Sequence, residues 1–277
     1  MFYYKTSISM KAIRFVIVSL VAFFGIIYIL YVSYVYFNQA EMVFHASKLP
    51  IDYKFEFNQD FEELTIPSYD GAKLNGLLFK TQNPKGLIFY LHGNAGSLDS
   101  WGNNAKIYTD LGYDIFFLDY RGFGKSEDEI DNQEQVYNDI SIAYDKVTSN
   151  YKKSNVIIIG YSIGTGLATY LASVKQPQKL ILQAPFYNFT EFTTGRVPYF
   201  PDFLKKFDFK TNEYIVKIKS SIYIFHGNKD QVISNDNSTR LQKLLKPTDA
   251  FYTLEEEDHI GINENIDFQE KLKTILN

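Results

Sequence analysis

A serine at position 162 stands between two glycines at the end of an apolar run, in residues 157–172, IIIGYSIGTGLATYLA. The letters GYSIG match the pattern G-x-S-x-G, in which a strand turns sharply into a helix and presents the serine side chain. A serine hydroxyl is a poor nucleophile near neutral pH and needs a base, usually a histidine. A plain tight turn would have the same composition, so the other residues must decide whether Ser162 is a nucleophile.

The chain offers four histidines as possible bases: His45, His92, His226 and His259. In chains with this elbow the acid comes between the serine and the histidine, so a base that precedes Ser162 does not fit. His226 follows the serine but ends its strand at once, which leaves no later strand end for an acid before it. We therefore predict that His259, in EEEDHIGIN after the last strand, is the base, although an ordinary loop histidine would fit this segment too.

The acid is expected at the end of the penultimate strand, where YIFHGNKDQV places Asp230. A carboxylate there would hold the tautomer of His259 and stabilise its protonated form. An Asp beside Gly227 and Asn228 is also common in ordinary turns. Asp258 is a rival acid, but adjacent side chains along a chain seldom pair in the required geometry.

Attack on an acyl carbon also needs backbone N–H donors for the developing oxyanion. One is expected from Ile163, directly after the serine, and the other from the loop LHGNAGS at residues 91–97. The two glycines of this loop let its backbone turn the amides inward, which favours the N–H of Asn94, with Ala95 as the alternative. A plain glycine-rich turn would read the same way.

These residues lie far apart in the sequence, so they need a scaffold that brings their loops together at one edge of a sheet. After residue 60, short apolar runs alternate with longer helical patterns, which predicts a mostly parallel sheet covered by helices. The first two strands are expected to form an antiparallel hairpin with its turn at Asp70-Gly71. The predicted strands are Glu63–Pro67, Leu74–Phe79, Gly86–Leu91, Ile115–Leu118, Val156–Ile159, Leu180–Gln183, Ile222–Phe225 and Phe251–Leu254. The predicted helical segments are 100–111, 133–149, 163–175, 235–245 and 265–276.

The N-terminal segment is apolar over about 23 residues, FVIVSLVAFFGIIYILYVSYVYF, enough to cross a hydrocarbon layer of about 30 Å. This run is too long for a signal peptide and is followed by a poor cleavage site, so we predict an uncleaved anchor. Lys5, Lys11 and Arg14 flank its start, while Lys48 and Lys54 lie beyond its end. This small bias favours a cytoplasmic N-terminus and an extracytoplasmic catalytic domain.

The segment 185–215 interrupts the alternation, because it is aromatic, contains three prolines and has no clean period. A loop of this length in a compact domain is usually functional or contains small helices. We predict that it forms a partial cap and that its first aromatic residues, Phe186 and Tyr187, line an acyl pocket. The alternatives are that the rings of this segment dock on the membrane surface or that they pack onto the core of the domain.

Composition excludes several classes of protein. The net charge of −4 and the absence of a long basic run argue against a nucleic-acid partner. The chain has no cysteine, which excludes disulfides, thiol catalysis and thiolate metal sites. We expect no metal and no cofactor, a monomeric protein, and a small-molecule or lipid-like acyl ester as substrate.

Five segments together resemble the α/β-hydrolase superfamily, and more narrowly its Bem46-like branch of ABHD13-like and ABHD17-like membrane-anchored serine hydrolases. The segments are LHGNAGS at 91–97, DYRGFGKS at 119–126, GYSIGTG at 160–166, FHGNKDQV at 225–232 and DHIGI at 258–262. The resemblance covers about residues 40–277. It implies an α/β-hydrolase fold with an eight-stranded, mostly parallel sheet and helices on both faces, preceded by one transmembrane helix.

The resemblance also implies catalytic roles: Ser162, Asp230 and His259 would be nucleophile, acid and base. From the sequence patterns above, we expect residues 1–38 to form a cytoplasmic stub and anchor, 39–60 a linker, and 61–277 the hydrolase domain. The family usually has glycines before its histidine, whereas this chain has Glu257-Asp258, which places charge beside the base.

The sequence thus predicts a membrane-anchored serine hydrolase that cleaves carboxylic esters or thioesters through an acyl-enzyme on Ser162. Two alternatives stay open. One is a catalytically silent hydrolase fold that serves as a binding or scaffold protein. The other is a serine peptidase, although so short a chain lacks a gating domain.

Overall fold

The computed structural model describes residues 9–277, so the first part of the predicted stub, with Lys5, lies outside the described residues. Its centre is an eight-stranded sheet. The strands are β1 Phe61–Pro67, β2 Lys73–Phe79, β3 Leu87–Leu91, β4 Asp114–Leu118, β5 Val156–Tyr161, β6 Lys179–Gln183, β7 Ser221–Gly227 and β8 Ala250–Leu254. Their order in the sheet is β1-β2-β4-β3-β5-β6-β7-β8. The pairs β1–β2 and β2–β4 are antiparallel and the other pairs are parallel.

Helices cover both faces of this sheet. The α-helices are α1 Met10–Val43, α2 Leu98–Trp101, α3 Ala105–Thr109, α4 Gln133–Thr148, α5 Ile163–Lys175, α6 Phe189–Thr194, α7 Thr211–Ile215, α8 Asp236–Gln242 and α9 Ile266–Leu276. Alternate side chains of each strand point to opposite faces. Ile158 of β5 accordingly packs in the core with Leu167 of α5, while Ile159 packs in the other core with Leu272 of α9. The predicted fold class is confirmed.

The predicted elements differ from the observed ones mainly in one helix. The segment predicted as one helix at 100–111 is broken into α2, a 3₁₀ turn at Gly102–Asn104, and α3. Gly102 packs so closely on Phe57 that a Cβ there would lie 2.4 Å from its ring. The break therefore lets the segment 53–61 pack against this face. The predicted hairpin turn is present, and Gly71 adopts the left-handed φ of +95° that glycine tolerates.

Helix α1 is long and apolar enough to cross a membrane, and none of its most apolar stretch is buried in the domain. It runs past the expected anchor boundary at residue 38 to Val43. There Gln39 bridges the backbone of the segment 185–215. Its Nε2 donates to Leu204 O at 3.0 Å, and its Oε1 accepts from Lys206 N at 2.8 Å. Much of the stretch expected as a linker is packed, since Phe44 and Phe55 are buried.

Candidate active site

Ser162 occupies the junction between β5 and α5 in a strained conformation, with φ +53° and ψ −118°. Such a backbone is rare for a residue with a side chain and persists only when the surroundings hold it. The flanking glycines make it possible, because a Cβ on Gly160 would lie 2.5 Å from Gly164 O, and one on Gly164 would lie 2.1 Å from Leu91 O. The sharp turn predicted from GYSIG thus has a steric basis on both sides.

The structure brings Ser162, Asp230 and His259 together from three loops. His259 Nε2 lies 2.9 Å from Ser162 Oγ, and His259 Nδ1 lies 2.7 Å from Asp230 Oδ2. An ionised carboxylate only accepts hydrogen bonds, so Nδ1 holds the proton and Nε2 is free to accept from the serine hydroxyl. This geometry suits proton abstraction from Ser162, and the catalytic roles themselves stay predictions.

Asp230 is held by four hydrogen bonds. Its Oδ1 accepts from the N–H groups of Val232 and Ile233, both at 2.8 Å. Its Oδ2 accepts from His259 and, at 3.1 Å, from Nε2 of His226. Burial alone would raise the pKa of Asp230, but the bonds from the two imidazoles and the backbone outweigh it and hold that pKa below its usual value. The carboxylate is therefore ionised and fixed in orientation.

His226 is a contributor to the site that sequence reasoning missed. It is fully buried, its Nδ1 lies 2.6 Å from Ser238 Oγ, and its Nε2 lies 2.7 Å from Ile233 O as well as close to Asp230. Two acceptors at Nε2 place the proton there, so Nδ1 accepts from the serine hydroxyl. The sequence signal for this contact is that Asp230 follows His226 by four positions, in the turn directly after the end of the strand.

The loop that carries His259 is fixed from two sides. The hydroxyl of Tyr161 donates to the carbonyls of His259 and Ile260, at 2.5 and 2.9 Å. Burial raises the pKa of Tyr161, so this hydroxyl keeps its proton. The rival acid Asp258 turns its Oδ1 to the N–H of Ile260 at 2.8 Å and of Gly261 at 3.3 Å. Asp258 thus shapes the loop, whereas Asp230 contacts the imidazole.

The predicted oxyanion loop lies beside the serine, since a Cβ on Gly93 would be 3.7 Å from the Cβ of Ser162. His92 Nδ1 lies 2.7 Å from Gly93 O, the carbonyl of the peptide that carries the N–H of Asn94. The alternative donor, Ala95, lies in a two-residue parallel ladder with His45. As the first residue of α5, Ile163 has an N–H without an intrahelical acceptor.

Behind this loop, His92 and Asp119 face each other in full burial. The atoms His92 Nε2 and Asp119 Oδ1 are 3.4 Å apart, and neither has a closer hydrogen-bond partner within residues 9–277. Burial raises the pKa of Asp119, although the facing imidazole opposes the shift. A single proton between these two atoms would satisfy both and would fix the His92 tautomer that donates to Gly93.

The two predicted pocket residues are placed differently. Phe186 is fully buried, and a Cβ on Gly166 of α5 would lie 2.6 Å from its ring. Tyr187 is half-buried, with the guanidinium of Arg240 3.8 Å from its ring centre. The observed cavity in this region, about 100 Å³, lies between α1 and the cap and is lined by other residues, among them Val35, Val43, Phe189, Phe200 and Phe207. A pocket at Phe186 and Tyr187 stays a prediction.

Known proteins resemble the chain in sequence. A family model described as serine aminopeptidase, S33, matches residues 82–210. Human alpha/beta hydrolase domain-containing protein 17B is 31% identical over 204 residues, covering 70% of this chain and 67% of that protein. The lysophosphatidylserine lipase ABHD12 of Bos taurus is 30% identical over 186 residues, covering 60% of this chain and 46% of that protein. The chain thus spans about half the length of ABHD12.

Solved structures resemble the chain in fold. The esterase Pf2001 of Pyrococcus furiosus superposes with a TM-score of 0.64 at 17% identity, covering 84% of this chain and 96% of that one. An alpha-beta hydrolase of Vibrio vulnificus gives a TM-score of 0.66 at 18% identity, covering 79% of this chain and 82% of that one. At these identities the likeness concerns the fold alone.

Proposed function

Since this chain belongs to the ABHD-like α/β-hydrolases, we propose that it is a membrane-anchored serine hydrolase that cleaves carboxylic esters or thioesters. Ser162 is the nucleophile, His259 the general base and Asp230 the residue that orients the base. The observation that carries the proposal is the chain of two hydrogen bonds, 2.9 and 2.7 Å long, that joins these residues at a strained strand-to-helix turn.

In the first half-reaction, Ser162 Oγ attacks the acyl carbonyl carbon while His259 Nε2 takes its proton. We assign the binding of the oxyanion to the N–H groups of Asn94 and Ile163. Asp230, ionised throughout, stabilises the imidazolium that results. His259 then gives the proton to the departing alcohol or thiol as the tetrahedral intermediate collapses to an acyl-serine.

In the second half-reaction, His259 takes a proton from water, and the resulting hydroxyl oxygen attacks the acyl carbon of the acyl-serine. The same two amides bind the second oxyanion. Collapse breaks the bond to Ser162 Oγ, which regains its proton from His259, and the carboxylic acid departs. Atoms and charge balance with water as the only co-substrate.

A lipid-like acyl group is the substrate class that the surroundings favour. Helix α1 ends beside the oxyanion loop, where Asn94 Nδ2 lies 3.3 Å from Val43 O. An apolar helix that ends so close to the site supports a nucleophile near the membrane surface. The name of the relative ABHD12, a lysophosphatidylserine lipase, supports the same class. With Lys11 and Arg14 before the apolar run, we assign the N-terminus to the cytoplasm and the catalytic domain to the other side.

Labelling by a fluorophosphonate probe tests the nucleophile. We expect the full chain in detergent micelles to be labelled, Ser162→Ala to be unlabelled, and Ser173→Ala, on the same helix, to be labelled like the wild type. Absence of labelling in the wild type would favour the silent scaffold, and equal labelling of Ser162→Ala would exclude Ser162 as the nucleophile.

Substrate preference separates an esterase from a peptidase. For p-nitrophenyl esters from acetyl to dodecanoyl, kcat/KM should rise with chain length until the pocket is full, because each buried methylene contributes about 0.8 kcal/mol. A steady fall from acetyl would contradict a lipid-like substrate. Faster cleavage of amino-acid p-nitroanilides than of any ester would instead support a peptidase, as the S33 description suggests.

A further inference from the structure

The cap reaches far along the membrane-spanning part of α1. We call residues 197–203, VPYFPDF, the cap tip. The hydroxyl of Tyr31 donates to Pro198 O at 2.7 Å, and the hydroxyl of Tyr28 donates to Tyr199 O at 3.0 Å. With Gln39 bonded to the backbone just after the tip, the cap follows α1 from Gln39 back to Tyr28.

The position of these contacts fixes the depth of the cap tip. A helix that crosses the hydrocarbon layer needs about 20 apolar residues. Between Arg14 and Asn38 every window of that length includes both Tyr28 and Tyr31. With a rise of about 1.5 Å per residue, Tyr28 lies about 14 Å before the end of the apolar run at Phe37. If α1 spans the bilayer, the carbonyls that it bonds in the cap tip lie below the membrane surface.

Most polar backbone groups of the cap tip are paired, which favours such depth. An unpaired peptide group in hydrocarbon is costly, so each must find a partner. The two tyrosine hydroxyls satisfy the carbonyls of Pro198 and Tyr199, and the two prolines of the tip have no N–H. The N–H of Phe200 bonds to Val197 O at 3.3 Å. The acid of the tip, Asp202, pairs with Lys205 at 2.7 Å.

Two aromatic side chains of the cap tip point outward without cover. Tyr199 is 87% exposed and Phe203 is 86% exposed, the highest values for large apolar side chains within residues 9–277. Rings so exposed in water would be an association hazard, whereas they suit a lipid phase. Lysines follow the tip directly, and the ammonium of Lys206 lies 5.1 Å from the ring of Tyr36, near the end of the apolar run. Lys206 therefore lies at the depth expected for the lipid headgroups.

A groove separates α1 from the cap tip. It measures about 840 Å³ and is lined mainly by apolar and aromatic residues, including Phe24, Ile27, Tyr31, Val197 and Tyr199. It shares Val35, Met42, Arg196 and Val197 with the cavity of about 100 Å³ beneath the cap. That cavity is lined by Val43, whose carbonyl accepts a hydrogen bond from Asn94 of the oxyanion loop. The groove thus adjoins a cavity that ends one residue contact away from this loop.

We propose that the cap tip is a second membrane-inserted element, immersed in the leaflet on the catalytic side, and that the groove between it and α1 holds an acyl chain of a bilayer lipid. The inference rests on the proposed membrane anchoring by α1 and is independent of the chemistry at Ser162.

Spin labelling tests the proposal, and the absence of cysteine makes each introduced one unique. The full chain is reconstituted in phosphatidylcholine vesicles with a nitroxide at Tyr199→Cys or Phe203→Cys. Phe24→Cys reports the anchor. Val174→Cys, 56% exposed at the far end of α5, is the matched apolar control outside the membrane. Collision rates with oxygen and with a water-soluble nickel chelate give the depth of each label.

Labels at Tyr199 and Phe203 should resemble the one at Phe24, with severalfold more oxygen collisions relative to nickel than at Val174. A lipid-like label at Phe24 with water-like labels at the tip would overturn the proposal and leave the anchor standing. A water-like label at Phe24 would contradict both the membrane anchoring by α1 and the insertion of the cap tip. Protection from both reagents, with dipolar broadening that disappears on dilution with unlabelled chain, would mean that a second copy covers the tip, which also overturns it.

The tyrosine hydroxyls allow a second measurement. The pair Tyr28→Phe and Tyr31→Phe removes the two bonds that hold the cap tip against α1, so the label at Tyr199 should lose depth and become more accessible to nickel. Tyr34→Phe, on the same helix, leaves both bonds intact and should change nothing. Equal depth in all three backgrounds would contradict the role of these bonds in seating the tip.

Discussion

The tripeptide His-Gly-Asn occurs twice, at residues 92–94 directly after β3 and at 226–228 at the end of β7, each time at the carboxyl end of a strand with two parallel neighbours. The two copies are used differently. His92 donates from Nδ1 to the next carbonyl, whereas His226 donates from Nε2 to Asp230 and Ile233. A Cβ on Gly93 would lie 3.2 Å from the ring of Trp101, while a Cβ on Gly227 would lie 2.3 Å from the carbonyl of Glu257 in the loop before His259.

Each copy also faces an aspartate, and the two aspartates have opposite environments. Asp230 receives four hydrogen bonds, which hold its pKa below the usual value despite burial. For Asp119, burial prevails and raises the pKa. The comparison teaches that the same letters at equivalent strand ends give a lowered pKa at Asp230 and a raised pKa at Asp119, because the number of donors around each carboxyl differs.

The largest effect should come from Asp230→Asn. The amide would reverse the hydrogen bond to His259 Nδ1 and favour the wrong tautomer, so kcat should fall by about 10⁴. Steady-state hydrolysis of a p-nitrophenyl ester measures it. A loss below tenfold would mean that Asp230 is not the acid and that the comparison with Asp119 has no catalytic meaning.

His92→Phe should have the next largest effect. It removes the donor to Gly93 O and frees the peptide that carries the Asn94 N–H, and loss of an oxyanion donor costs about 10²-fold in kcat. KM should change little. His92→Asn places an amide N–H near the former Nδ1 and should restore much of kcat. Equal losses in both variants, matched by equal losses of stability, would show a purely structural role for His92.

The pH dependence of stability should have opposite sign at the two aspartates. The lowered pKa of Asp230 gives stability that is present above its ordinary value of 3.8 and is lost as pH falls below it. The raised pKa of Asp119 gives stability that is full below 3.8 and is lost as pH rises. Denaturant unfolding of wild type, Asp230→Asn and Asp119→Asn from about pH 3 to pH 7 measures both differences. Parallel slopes would contradict the assigned environments.

The smallest effect on turnover should come from Asp119→Asn. An amide resembles a protonated carboxyl and can donate to His92 Nε2, so kcat should stay within about threefold of wild type, less than 1 kcal/mol in the barrier. The same ester assay as for Asp230→Asn gives the matched comparison. A loss that approaches that of Asp230→Asn would show that Asp119 acts as an anion.

Local sequence was sufficient for the scaffold and for the turn at Ser162. Apolar runs of strand length and longer amphipathic segments alternate along the chain. The spacing of the apolar residues indicates which positions are buried, whichever residues they pack against. The residues around Ser162 must be small because of close contacts with residues a few positions away in the chain and with the neighbouring strand β3. The order of serine, acid and histidine narrowed the candidates to the three side chains that the structure brings within hydrogen-bonding distance.

Only the tertiary structure decided which partners the other polar side chains meet. Nothing in His-Gly-Asn distinguishes His92 from His226, since a ring nitrogen takes its partner from residues distant in the chain. The same holds for α1. The length of its apolar run predicts a membrane span, but it does not predict that the cap contacts the helix at Tyr28 and Tyr31. Sequence patterns report the environment a residue needs, and long-range packing selects the neighbour that provides it.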